Sequence, residues 1–322
     1  MALENRKPVP ADEALSTTGS RRRALALMLG AWRWLPAMPA GAESGAPVRL
    51  AISESVMGDV NLNDARAAML IWIKQMTKDL NVVIDFNPRV FSTSEEIVDR
   101  TRRGQLDAIA LNIVEYRQIA DLLDPSQIVT VAGVAGQEQY LILAKQNSGI
   151  RELGDLKGRR LCALKSPRMC IAPGWLSTIL DEGHYGPAEQ FFGSVATVAK
   201  FSQVVLPVFF GQAEGCLTSK RGFDTMCELN PQVARDLRVL ASSPPLVVMF
   251  YAFCKNYQSV QRGKLIRALS GLCDSPAGRQ LATLFQFDEL TVRDGSCLAS
   301  ALGILETAER VRSRRGAGTR RG

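Results

Sequence analysis

The sequence predicts an α/β protein of two similar units, each a mostly parallel sheet flanked by helices. Three observations carry this reading. Short apolar runs of strand length alternate with longer stretches at helical spacing, the pattern of a sheet covered on both faces. The alternation occurs twice, once from Val48 and again from Gln139. A chain of 322 residues is also long enough for two ordinary domains with well-buried cores.

Each element has its own reason. VRLAIS (48–53) is a short apolar strand that ends in the polar turn Ser53-Glu54-Ser55. Asn63 is placed to cap a helix in which Ala67, Leu70, Ile71 and Met76 keep a largely helical spacing. NVVIDFNP (81–88) reads as a second strand closed by Pro88, and Ser94-Glu95-Glu96 opens a helix that stops before Gly104. LDAIALN (106–112) is a third strand, wholly apolar in its centre, whose end delivers Asn112, Glu115 and Tyr116. In the second unit QYLILAK is a strand, Gly158 stops a turn before RRLCAL, and Pro173 to Glu182 reads as a helix. GQAEGCLTS places a helix-end glycine before a small-residue strand, Pro231 starts a helix, LRVLA is a strand, and Pro244-Pro245 forbids helix. Residues 259–282 and 296–310 read as helical, and the Arg/Gly tail 311–322 lacks the apolar content to order.

The basic pI of about 9.2 comes from the ends of the chain. Residues 1–42 carry six Lys/Arg against three acids, and residues 310–322 carry six Arg and no acid, which leaves the part between slightly acidic. A broad nucleic-acid footprint is therefore disfavoured. Arg21-Arg22-Arg23, the apolar run ALALMLGAW and the small residues ending at Ala42 outline a signal peptide over 1–42, and Ser20-Arg21-Arg22 leaves the general and twin-arginine routes both open. The apolar run is shorter than the roughly 20 residues a spanning helix needs, and after cleavage the protein is expected to be soluble.

Seven cysteines, all in the second half, leave at least one thiol unpaired and fix no connectivity. With no C-x-x-C and one histidine, His184, no metal site is predicted, and no cofactor either. The cysteines read as small buried hydrophobes.

GQLDAIALNIVEY and SGIRELGDLKGRRL, in this order with KSPRMCIAPGW and LRVLASSPP, resemble the phosphate/phosphite/phosphonate-type substrate-binding proteins of ABC transporters. The resemblance spans roughly Val48 to Ala308. It implies the two-lobed type 2 periplasmic binding protein fold: lobe 1 over 48–134 and 241–310, lobe 2 over 135–240, joined by hinge strands. It also implies a monomer in the periplasm that closes on a small anion and meets the membrane only through a partner. That partner is an ABC permease, or alternatively a membrane histidine kinase or chemoreceptor for which the same jaws would act as sensor.

In open α/β sheets ligands bind outside the carboxyl ends of strands. The candidate ligand residues are accordingly Ser53, Glu54 and Ser55 after the first strand, Asn112 and Tyr116 after the third, and Lys165, Ser166 and Arg168 in the second unit. Ser166 falls on the first hydroxyl of the family's Ser-Thr-Ser-Gly anion loop, while Pro167, Arg168 and Met169 replace the rest. Gln203 marks the family's polar anchor after the lobe 2 helix. Carboxylates that would hold a substrate ammonium are replaced by Arg221 and Pro244-Pro245, so an aminophosphonate is expected to bind poorly. Lys165 and Arg168 read equally as solvated loop charges, and Tyr116 as a packed helix residue. No catalytic residue is expected: an enzyme using Cys170 would need a base beside the thiol, and the chain offers only His184.

Overall fold

A computed structural model describes residues 46–58, 60–85, 89–133 and 136–318. The expected leader 1–42 with its cut near Ala42 lies outside the described residues, as do Phe86, Asn87 and Pro88 of the second predicted strand and residues 319–322 of the tail.

The described residues belong to one compact unit built on two sheets. It begins with β1 (Leu50–Ser53), α1 (Leu62–Leu80), β2 (Arg89–Phe91), α2 (Ser94–Arg102), β3 (Ala108–Asn112), α3 (Ile113–Ile119) and β4 (Leu123–Val131). The chain then crosses into β5 (Tyr140–Lys145), β6 (Arg160–Leu164), α4 (Ala172–Glu182), α5 (Ala188–Phe191), β7 (Ser194–Val198), α6 (Phe201–Phe209), β8 (Gly215–Ser219), α7 (Lys220–Leu229), α8 (Pro231–Asp236) and β9 (Leu237–Ser242). It returns as β10 (Met249–Cys254), α9 (Val260–Ser270), α10 (Pro276–Phe285), β11 (Leu290–Arg293) and α11 (Ala299–Gly318).

The first sheet has the order β11-β4-β10-β3-β1-β2 and the second β7-β6-β8-β5-β9. Among the described strands the parallel pairings are β2-β1-β3 and β7-β6-β8. β5 and β10, the strands by which the chain enters each sheet from the other, run antiparallel to their neighbours. The two crossings lie side by side, where Glu138 and Leu246 exchange backbone hydrogen bonds of 2.7 and 2.8 Å.

Local chemistry places the helices. Asn61, rather than the expected Asn63, caps α1: its carboxamide oxygen accepts the N–H groups of Asn63 and Asp64. Thr93 caps α2 in the same way. Gly211 takes the left-handed conformation (φ 73°) that ends the α6 segment. Around 81–88 the described pairing is a bridge between Val48 and Ile84, and the regular strand is Arg89–Phe91.

The C-terminal segment departs from expectation. α11 runs to Gly318, so the first eight residues of the predicted tail are helical, and Val311 is buried. α11 packs on α4, where the Gly174 backbone approaches the side chains of Ala308 and Ile304. Ion pairs join it to α3 (Arg117–Glu309) and to α4 (Arg314 with Asp181). The helix therefore lies across both lobes rather than within lobe 1. Among the described residues all seven cysteines are free thiols, and no helix is long and apolar enough to cross a membrane.

Candidate functional site

The carboxyl ends of β1 and β3 meet the turn after β6 at the seam between the lobes. On the lobe 1 side Asn112 caps α3, its side chain accepting the N–H groups of Val114 and Glu115 at 2.8 and 2.9 Å. The Glu115 carboxylate reaches back to the Asn112 N–H at 2.9 Å, completing a capping box. That carboxylate also accepts the hydroxyls of Ser53 (2.5 Å) and Ser55 (2.9 Å). Three predicted ligand residues thus share one buried glutamate, which sequence reasoning placed at the strand end without giving it a role. Glu54, between the two serines, is exposed. Tyr116 is buried edge-on against Phe250, ring centroids 5.3 Å apart, and burial raises its phenol above the ordinary value. It packs in the lobe 1 core.

On the lobe 2 side the Lys165 N–H donates to the Val198 carbonyl (2.8 Å), which fixes the start of the turn. The Lys165 side chain is exposed, and among the described residues no hydrogen bond or ion pair engages it. Ser166 is half-buried and its hydroxyl caps nothing. Residues Pro167–Met169 make one tight helical turn, which lies against the turn Glu54–Val56 of lobe 1. Arg168 is held twice. Its guanidinium donates to Glu138 at 2.7 Å, and its carbonyl accepts the Tyr140 hydroxyl at 2.9 Å. Glu138 sits on the first crossing with its side chain 2% exposed, and Tyr140 is fully buried. Gln203, in the first turn of α6, is exposed and stands outside this network.

A second guanidinium belongs to the seam. Ser219 caps α7 through the Gly222 N–H, and Arg221 in the first turn donates to the Gln286 carbonyl of lobe 1 at 3.2 Å. Burial, and then the charge of Arg168, lower the Arg221 pKa, with Glu138 and Asp288 opposing. Arg168 and Arg221 therefore share the field of Glu138. Glu138 carries no local sequence signal, because its role arises from pairing with Leu246 and with a turn 30 residues onward in the chain. Cys170, between the two jaws, is pushed up to about 12 by burial and by the charges of Glu115 and Glu138. A thiol held protonated is a poor nucleophile. No group of His, Cys, Asp and Glu able to hold a metal occurs among the described residues.

The arrangement is two jaws with paired crossing strands, where Arg168 and Arg221 meet the buried carboxylate of Glu138 and the Ser53 and Ser55 hydroxyls donate to Glu115. No curated protein matches the sequence. Solved structures similar in fold include an ATP-bound protein of Xanthomonas citri, at 14% identity over 83% of this chain and 99% of that one, with a TM-score of 0.61. The binding-protein component of a phosphonate ABC transporter from Pseudomonas aeruginosa is 14% identical over 82% of this chain and 87% of that one, with a TM-score of 0.54. PhnD1 of Prochlorococcus marinus, in complex with methylphosphonate, is 13% identical over 80% of this chain and 96% of that one, with a TM-score of 0.53. The model of the phosphonate ABC transporter periplasmic substrate-binding family matches residues 59–296. The chain belongs to that family of periplasmic substrate-binding proteins, which capture a solute for uptake by an ABC permease and are not enzymes.

Proposed function

We propose that the solute is a small anion, held at the seam by Arg168 with Lys165, Ser166 and Arg221 on one side and the Ser53–Ser55 turn on the other. The observation that supports this reading is the position of Arg168: a guanidinium at the junction of both jaws, with a second guanidinium beside it. Guanidinium forks match the geometry of oxyanions. Ser166 and Lys165 add a hydroxyl and an ammonium that no described residue engages. An aminophosphonate fits less well, because Glu115 and Glu138 already accept hydrogen bonds from the protein itself. The protein works as a monomer, exported with removal of the leader near Ala42.

The test is a thermal-shift screen of the protein lacking residues 1–42 against phosphate, phosphite, methylphosphonate, 2-aminoethylphosphonate, methanesulfonate and small carboxylates. A bound anion at 100 times its Kd adds about 2.7 kcal/mol of stability. Arg168→Ala weakens that anion tenfold or more, and 2-aminoethylphosphonate binds more weakly than methylphosphonate. A shift with neutral or cationic solutes and none with any anion overturns the reading.

A further inference from the structure

Lobe 2 carries a pair of cysteines that the anion site does not use. β6 and β8 run parallel, and their register sets Cys162 directly beside Cys216. Register partners on adjacent strands point to the same face of the sheet, with backbones roughly 4.8 Å apart. That spacing lies within the range of about 4.4 to 6.8 Å between the Cα atoms of a disulfide. The two thiols also feel each other: burial, and then Cys162, push the Cys216 thiol up. Among the described strands no other two cysteines are register partners. Cys254 of β10 faces Leu123, and the remaining four lie outside the strands.

Both are thiols in the structure, and both are buried. Burial raises both above the ordinary thiol value, so the thiolate that attacks a disulfide is scarce once lobe 2 has folded. Members of the family work in the periplasm, a compartment kept oxidising. A chain that folds there meets an oxidant before the sheet closes over these side chains.

We propose that Cys162 and Cys216 form a disulfide as lobe 2 folds, stapling β6 to β8. The oxidant is a second disulfide, that of a thiol–disulfide oxidase or of oxidised glutathione. One cysteine thiolate attacks it, giving a mixed disulfide and releasing one oxidant thiol. The other cysteine thiolate then attacks the mixed disulfide, the Cys162–Cys216 bond forms and the second oxidant thiol leaves. Two electrons and two protons thus pass from the cysteines to the oxidant. The bond joins the strand that leads into the Arg168 turn to the strand that leads into the Arg221 helix. It also closes a long loop of chain, the case in which a crosslink restricts the unfolded state most.

In the experiment the leaderless protein is unfolded with its thiols reduced, then refolded with glutathione disulfide or with reduced glutathione alone. Each sample is denatured, its free thiols are alkylated, and the unreduced digest is mapped by mass spectrometry. The oxidised sample yields one peptide pair linked through Cys162 and Cys216 and five alkylated cysteines, whereas the reduced sample yields all seven alkylated. The linked protein melts higher, and a strong reductant removes the difference. Cys216→Ala melts at the same temperature from either buffer, and Cys162→Ala takes its place if the first variant does not melt cooperatively. Cys162 and Cys216 both alkylated after oxidative refolding, or linked to other cysteines instead, overturns the proposal. A link that leaves the melting point unchanged or lower overturns the stapling.

Discussion

At the residue scale, a charged group in this protein is defined by how many donors surround it. Asp124, at the start of β4, accepts the Ser126 hydroxyl at 2.7 Å, the Ser126 N–H at 2.9 Å and the Arg262 guanidinium at 2.7 Å. These bonds, led by the Ser126 hydroxyl, lower its pKa from 3.8 to about 2. Arg262 is itself 7% exposed and lies 4.8 Å over the Phe253 ring, so Asp124 is the counter-ion of a nearly buried cation. A carboxylate depressed on folding stabilises the native state above its unfolded value and loses that contribution as pH falls through the folded one. Asp124→Asn therefore costs about 1 to 2 kcal/mol at pH 7, less than the full shift because water still reaches the carboxylate. In urea melts the gap between wild type and variant stays constant from pH 7 to about pH 5, narrows below pH 4 and closes near pH 2. A gap unchanged at pH 2 would show that packing, not charge, sets the cost.

At the scale of elements, the informative contact is the crossing of α4 and α11. A Cβ built on Gly174 lies 3.2 Å from the Ala308 Cβ and 3.8 Å from Ile304, so the helices approach as closely as they do because one position has no side chain. Gly174→Ala sets a tight contact against a gain in helix propensity of roughly 0.5 to 1 kcal/mol, and its unfolding midpoint stays close to wild type. Gly174→Val forces the helices apart and costs about 1 to 3 kcal/mol. Amide hydrogen exchange then rises along α11 first, while β3 and β5 remain protected. Equal loss of protection throughout would mean that α11 is not a separable strap.

The central strands were legible because burial on both faces leaves an apolar run: AIALN of β3 and YLILAK of β5 are nearly all buried. Edge strands were not. SVATV of β7 is largely exposed, and LTVR of β11 buries little beyond Leu290, so neither carries a periodic signal. The length of α11 was hidden for a related reason. Its last turns are Arg-rich and read as a solvated tail, yet Val311 is buried and Asp181 of α4 meets Arg314 and Arg315. The strand-end rule singled out Ser53, Ser55, Asn112 and Arg168, and the structure places all four where the ends of β1 and β3 meet the turn after β6. It could not find Glu138 or the contacts of Arg221, because both act through pairings distant in sequence, and of the two readings it left for Tyr116 the packed one describes the ring against Phe250.

For the whole molecule, the proposed anion site makes the crossing carboxylate a link between stability and binding. Glu138 is bonded through its backbone to the second crossing and through its side chain to the lobe 2 jaw, so it helps hold the jaws together when Arg168 has no other anion. It also competes with any anion for that guanidinium. Arg168 and Glu138 are in contact at 2.7 Å, and unit charges about 4 Å apart interact by roughly 4 kcal/mol at an effective dielectric of 20, so the carboxylate offsets much of what Arg168 would offer the proposed anion. Glu138→Gln keeps an oxygen that can accept from Arg168 and removes the charge, and the Tyr140 hydroxyl still fixes the Arg168 carbonyl. The variant should therefore melt lower than wild type without ligand and bind its anion about three- to tenfold more tightly, so that the two melting points converge as anion is added. Thermal shift across an anion titration, paired with calorimetry, measures both halves. A variant that binds the anion tenfold more weakly would mean instead that Glu138 acts by positioning Arg168, and that the guanidinium cannot find the ligand without it.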